Sequence, residues 1–345
     1  MDDLGGRYAR LVAAFHARDA VTADLGRLAQ DAEALAAEAD SIWLRIQSRA
    51  LAAAARAMGD AAADPEAIVD AAPPLPDDTA LPRLEELLPG AESLAVRLAA
   101  HEAATRIPSD FLGTAAKGLF RLLRQRAVED LELPIRHALE LTVVERPDEA
   151  WHSILDPGRL TLNGRAAWTA DRLVREISSQ AYPGRHLARL MRPPAPEWAP
   201  SPETTVDCGL AAVGREILLA DHELAHELER IGRAGGVRWN GAHVIAVGRA
   251  RSELASSFAA AALAAPTADV RHDLHRLGLD PTRADGMVTR WRNPLARAQT
   301  LARAAGPPLV REWLVSTGQT AGLQRLLSER MVPSMLREDT GDVAS

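Results

Sequence analysis

The stretch Ser179-Gln180-Ala181-Tyr182-Pro183-Gly184-Arg185-His186 decides how the chain folds. Residues 169–180 before it carry apolar side chains at helical spacing. Pro183 has no N–H to give a helix, and Gly184 frees the backbone, so the pattern predicts a helix that breaks here and resumes. Helical periodicity continues on both sides. The expectation is a mainly α fold.

Downstream, Arg192-Pro193-Pro194-Ala195-Pro196 opens a proline-rich connector over 192–205. One long helix is expected over 207–233, ended by Gly235-Gly236. Further helices are expected over 240–264, 268–277, 282–291, 293–305, 308–317 and 319–330. Upstream, Leu139, Leu141 and Val143 alternate with Glu140, Thr142 and Val144, and Arg159-Leu160-Thr161-Leu162-Asn163 alternates again after the turn residues Asp156-Pro157-Gly158. This predicts a small β element near 139–164, a hairpin with a long connection. Helices are expected over 83–88 and 93–107, and another, capped by Ser109-Asp110, to about 129. Residues 60–82, with Ala72-Pro73-Pro74-Leu75-Pro76-Asp77-Asp78, read as an exposed loop. Residues 7–58 read as two helices, with Tyr8, Leu11, Val12 and Phe15 on one and Trp43, Ile46 and Leu51 on the other. The expected organisation is an N-terminal helical region, 1–80, packed on a main domain, 81–340. No short period repeats, which argues against a solenoid.

Of the 345 residues, 47% are hydrophobic but only 4% aromatic, so Ala, Leu and Val must fill the core. These are residues of packed helices rather than sheets. The formal charge is −7, and Lys117 is the sole lysine among the cations. No broad positive field is expected, and with it no nucleic-acid partner. Cys208 is the one cysteine, so no intrachain disulfide can form. The acidic start Met1-Asp2-Asp3-Leu4-Gly5-Gly6 lacks an apolar stretch, and the Ala-rich run over 255–265 is too short to span a bilayer. A cytoplasmic protein with no membrane contact is expected.

The order of several stretches resembles the domain-of-unknown-function 885 group, which looks like zinc-dependent carboxypeptidases or aminopeptidases. The family pattern is H-E-x-Y-P-G-H-H on a broken helix, followed by Ser-Glu-Gly on the next. Here the frame Ala181-Tyr182-Pro183-Gly184-x-His186-Leu187 is intact. Ser179 stands at the first zinc histidine, Gln180 at the general base, and Arg185 at the first histidine of the pair. Residues 202–211 resemble the segment leading into Ser-Glu-Gly, with Cys208 at the ligand glutamate. Weaker likenesses are Leu88-Pro89-Gly90, Glu149-Ala150-Trp151 with residues 159–163, and Gly306, Leu309-Val310 and Trp313-Leu314. In that last stretch Arg303 replaces a tyrosine and Pro307 an arginine. The resemblance covers about residues 80–336. It implies a helical zinc-peptidase-like domain with a cleft beside the β element, floored by the broken helix and the helix from 207.

Serine and glutamine are not ordinary zinc ligands, glutamine cannot take a proton from water, and a guanidinium repels a divalent cation. No metal is therefore expected at Ser179, Gln180 and Cys208. The resemblance then implies a non-catalytic relative that binds a small anionic ligand or a peptide. Its candidate binding residues are Tyr182, Arg185, His186, Cys208 and Arg303, with Trp151 and Trp168 along the same cleft. Metal-free chemistry is an alternative, with His186 as acid or base, Cys208 as nucleophile, and Glu102 and Asp207 as further acids.

A second alternative comes from His222-Glu223-Leu224-Ala225-His226. On a helix this H-E-x-x-H places two histidines on one face and Glu223 as a candidate base, the arrangement of a zinc hydrolase. Glu253 or His243 would have to supply the third ligand. The competing reading is a solvated face of His222, Glu223, His226, Glu227 and Arg230, opposite Ile217, Leu218, Leu224, Leu228 and Ile231, with Glu227–Arg230 and Glu229–Arg233 pairs along it. His101, His272 and His275 read as surface residues, and Trp291, between Arg290 and Arg292, as a helix anchor.

Overall fold

The computed structural model describes residues 4–17, 24–58, 64–131, 139–264, 271 and 281–341. The expected helix over 268–277, with His272 and His275, lies outside the described residues except for Arg271. The fold is mainly α with one small sheet. Among the described residues, no helix is long and apolar enough to cross a membrane.

The N-terminal stretch forms three helices rather than the expected two: α1 (Leu4–His16), α2 (Leu25–Glu38) and α3 (Ile42–Ala57). Asp24 caps α2 by accepting from the Arg27 N–H, and this cap divides what periodicity alone joins. The expected exposed loop over 60–82 contains α4 (Pro65–Val69), whose Ile68 and Val69 are fully buried. Asp64 caps it and Pro65 starts it, a signature overlooked behind the Pro/Asp composition. Next come α5 (Ala80–Leu87), α6 (Leu94–Ala104) and α7 (Leu112–Leu131).

The β element has three strands, β1 (Glu140–Val144), β2 (Ser153–Asp156) and β3 (Arg159–Asn163), in the order β1-β3-β2. β1 pairs parallel with β3, so the two strands read from the sequence are neighbours but not a hairpin. The hairpin is β2–β3, closed by Pro157 and Gly158, with Gly158 at φ +77°. The buried Asn163 amide donates to the carbonyls of Arg146, Glu149 and Trp151, and its oxygen accepts from two backbone N–H groups. That ties the long connection back onto the sheet.

α8 (Ala170–Gln180) and α9 (Arg185–Met191) are the two halves of the broken helix. The single helix expected over 207–233 is two, α10 (Pro202–Leu218) and α11 (Asp221–Ala234). Ser201 and Thr204 form a capping box that starts α10 inside the expected connector. The break at Leu219-Ala220 is fixed by the acids of the next first turn. Glu223 accepts from the Ala220 N–H, and Asp221 accepts from Arg215 and Arg249.

α12 (Gly241–Ala264), α13 (Pro281–Trp291), α14 (Pro294–Thr317), α15 (Gln319–Ser328) and α16 (Pro333–Thr340) complete the chain. The two helices expected on either side of Pro307-Pro308 are one continuous α14. Packing against α10 holds it together. A Cβ built on Gly306 would lie 2.2 Å from the Thr205 carbonyl, and one on Gly209 2.4 Å from the Gly306 carbonyl. The two backbones touch where only glycine fits.

The main core joins α7, β3, α8, α10, α11, α14 and α15, with Trp168, Tyr182 and Trp313 among its largest buried side chains. A second core is formed by α1–α4, and it is completed by Trp198 and by Ala298, Leu301, Ala302 and Ala305 of α14. The Trp198 indole N–H donates to the Tyr8 hydroxyl at 2.8 Å, and the Thr205 hydroxyl to the Val69 carbonyl at 3.0 Å. The N-terminal helices are thereby tied to the rest of the fold.

Candidate ligand cleft

The Gly209–Gly306 contact sets Cys208, on α10, beside α14, which carries Arg303 one turn earlier. From the other side, the end of α8 and the start of α9 bring Ser179, Gln180 and Arg185. All five line one cavity of about 550 Å³. The connector adds Glu197, α9 adds Arg189, and Arg192, Glu203 and Asp207 complete the polar wall. His16 and Gln47, from the N-terminal helices, close one side, and Arg330 another. Nothing in their local sequence marks these last three, because each arrives from a separate, distant helix or turn.

The charges are organised by depth. Arg192 is buried and donates to Glu203 at 3.1 Å, to Asp207 at 2.6 Å and to the Leu326 carbonyl at 2.6 and 3.0 Å. Burial works against its charge, but Asp207 and Glu203 outweigh that and raise its pKa. Arg330 makes two bonds to Glu203, at 2.7 and 2.9 Å. Nearer solvent, Glu197 accepts from Arg189 at 2.6 Å and from Arg185 at 3.4 Å. Burial pushes Glu197 up, yet these arginines hold it below the usual carboxylate range. Arg303 is exposed, and among the described residues its guanidinium has no hydrogen bond or ion pair. The arginines on the cavity (185, 189, 192, 303 and 330) exceed its carboxylates (197, 203 and 207) by two charges.

Cys208 is half-buried. Burial pushes its thiol up to about 11, against the pull of Arg303 and Arg185. At neutral pH it is a thiol, not a thiolate, and a poor nucleophile. Tyr182 and His186, expected on the cleft, face the core instead. Tyr182 is fully buried, edge-on to Phe120 and to His186, with ring centroids 5.3 and 5.8 Å away. His186 does not reach the cavity that Cys208 lines, so the two are not a pair. The reason lies in the break itself. Residues 179, 180 and 185 flank it on the outside, while 182 and 186 turn inward to fill it. Trp168 is also in the core, its indole N–H donating to the Asn163 carbonyl at 2.8 Å. Asp207 does line the cavity, whereas Glu102 pairs with Arg251 elsewhere.

Burial lowers the pKa of His186, with Arg189 adding to the effect. Above the ordinary imidazole value of about 6.5, folded and unfolded chains both hold it neutral, and its contribution is intact. As pH falls below that value the unfolded chain binds a proton that the fold resists, and stability is lost down through the lowered pKa. Replacing His186 with Phe is expected to flatten the decline of melting temperature as pH falls below about 6.5. An unchanged decline would show that His186 protonates freely in the fold.

Ser179, Gln180, Arg185 and the protonated Cys208 do not make a donor set for zinc. Among the described residues, no group of three or more His, Cys, Asp or Glu is placed to hold a metal. His222 and His226 are exposed on α11, and Glu223 is engaged by Arg126 at 2.6 Å and by the N terminus of its own helix. Glu253 pairs with Arg83, and His243 lies edge-on to His101. The Glu227–Arg230 pair forms at 2.6 Å, and the apolar face of α11 is buried. His101, expected on the surface, is buried beside His243, because α6 packs its inner face near the start of α12. Trp291 stacks on Phe258 while Arg290 and Arg292 stay exposed.

No family model and no curated protein matches the chain. Among solved structures, it is similar to a protein described as a "putative lipoprotein" from Colwellia psychrerythraea, at 13% identity and a TM-score of 0.48, over 92% of this chain. The chain spans about half the length of that protein, 55%.

Proposed function

We propose that this protein is a non-catalytic relative of the zinc-peptidase-like group it resembles, and that it binds a small carboxylate, free or as a peptide C terminus, in the cleft between α8–α9, α10 and α14. The observation that carries this reading is Arg303. Every other charged side chain on the cavity has a partner, while this guanidinium stands on the wall with none among the described residues. A carboxylate would meet it with two parallel N–H donors, the geometry in which arginine binds best. The excess of arginine at the cavity favours the same charge. The high thiol pKa of Cys208, and the seating of His186 in the core, argue against a His186–Cys208 pair acting at the cavity.

Titration calorimetry with N-acetyl-dialanine and its C-terminal amide tests this. The acid is expected to bind at least about tenfold more tightly than the amide, and Arg303→Gln to remove that preference. Equal binding of acid and amide, or a preference that survives Arg303→Gln, would overturn the reading.

A further inference from the structure

A second cavity lies on a neighbouring face of α10, and we propose that it binds a small amphiphile, an apolar body with a single carboxylate head. It has a volume of about 330 Å³, at the small end of the range for ligand pockets. Val174, Leu224, Leu228, Val244 and Ile245 supply apolar wall, so the interior offers an acyl or aromatic body more than it offers water. The Pro307-Pro308 pair lines it as well, adding apolar rings and no N–H.

The polar rim is nearly self-neutralised. Asp77 and Glu253 are held by Arg83, Glu216 by Arg249 and Arg311, and Asp171 by the Thr169 hydroxyl and Arg251. Arg215 and Arg249 both reach Asp221. Arg175 is the exception. It is exposed at the rim, its guanidinium has no hydrogen bond or ion pair among the described residues, and its charge is felt by the neighbouring Arg172 as repulsion. One unpartnered cation over an apolar interior selects an anionic head on an apolar body.

A further observation points the same way. Leu75 also lines the cavity, yet it is 92% exposed, the most exposed large apolar side chain described. An apolar ligand seated below it would give that side chain a surface to cover.

Octanoate, 1-octanol and acetate separate the parts of this proposal in calorimetric titrations of the full chain carrying Arg303→Gln, which removes the carboxylate site proposed in the other cleft. Octanoate is expected to bind about tenfold or more tightly than either 1-octanol, which lacks the charge, or acetate, which lacks the body. Arg175→Gln should lower octanoate affinity about tenfold. Ala212→Trp, at an exposed position on the cavity wall, should block it by filling the space. Both Arg175 and Ala212 are exposed, and circular dichroism confirms that each variant is folded before titration. Absence of octanoate binding, acetate binding as tightly, or indifference to both Arg175→Gln and Ala212→Trp would each overturn the assignment.

Discussion

Replacing Arg192 with methionine is expected to cost about 3–5 kcal/mol of folding stability, the usual penalty for removing one member of a buried ion pair. The side chain is almost wholly enclosed and serves three structural acceptors at once: Glu203, Asp207 and the Leu326 carbonyl. Methionine fills much of the space but donates nothing. Glu203 keeps Arg330, while Asp207 and the Leu326 carbonyl lose their donor. Urea unfolding followed by far-ultraviolet circular dichroism measures the loss. Pairing the change with Asp207→Asn should recover part of it, since the carboxylate left without its arginine would lose its charge as well. A loss under about 1 kcal/mol would mean that water enters and substitutes for the guanidinium.

Gly306→Ala is expected to be comparably damaging. The added methyl would sit 2.2 Å from the Thr205 carbonyl and 2.8 Å from the Gly209 nitrogen. Both obstacles are backbone, so no side-chain rotation relieves the overlap, and α10 and α14 must move apart. Overpacking of this kind costs about 1–3 kcal/mol and more where backbone blocks it. Gly286→Ala is the matched control. It also lies within a helix, with nothing within 4 Å of a built Cβ, and should be neutral or slightly stabilising. Thermal melting of the two variants side by side checks both expectations. Because the same contact sets Cys208 beside α14, Gly306→Ala should also weaken any ligand held between Cys208 and Arg303. Equal melting temperatures would show that the helices slide without cost.

The helical class and the place of the sheet were legible because periodicity is local. The break at Pro183-Gly184 and the alternation at residues 140–144 and 159–163 are written within a few residues. Strand direction was not, since the parallel pairing of β1 with β3 depends on a third strand that contributes four short residues and little pattern. The continuity of α14 was hidden because proline normally ends a helix, and only the glycine contact with another helix overrides it. At the cleft, the residues flanking the broken helix and those on α10 and α14 fell on one cavity, because the motif frame fixes which side of the break each occupies. Tyr182 and His186 could not be assigned from the same frame, since one residue's rotation decides between cavity and core. Arg192 was concealed inside a proline-rich run that reads as linker, and Arg330, His16 and Gln47 reach the site only through tertiary contacts.

The sharing of the second core carries a consequence for the order in which the chain acquires structure during synthesis. Tyr8, Phe15 and Leu51 pack in the same cluster as Trp198 and Leu301, and Asp70 bonds the Ser334 hydroxyl at 2.7 Å. At roughly 5–20 residues per second, the ribosome takes on the order of 15–60 s to pass from the first of these helices to α14. Through that interval the N-terminal helices can pack on one another, but the part of their apolar face that meets Trp198, Leu301 and Ala302 in the finished fold stays uncovered.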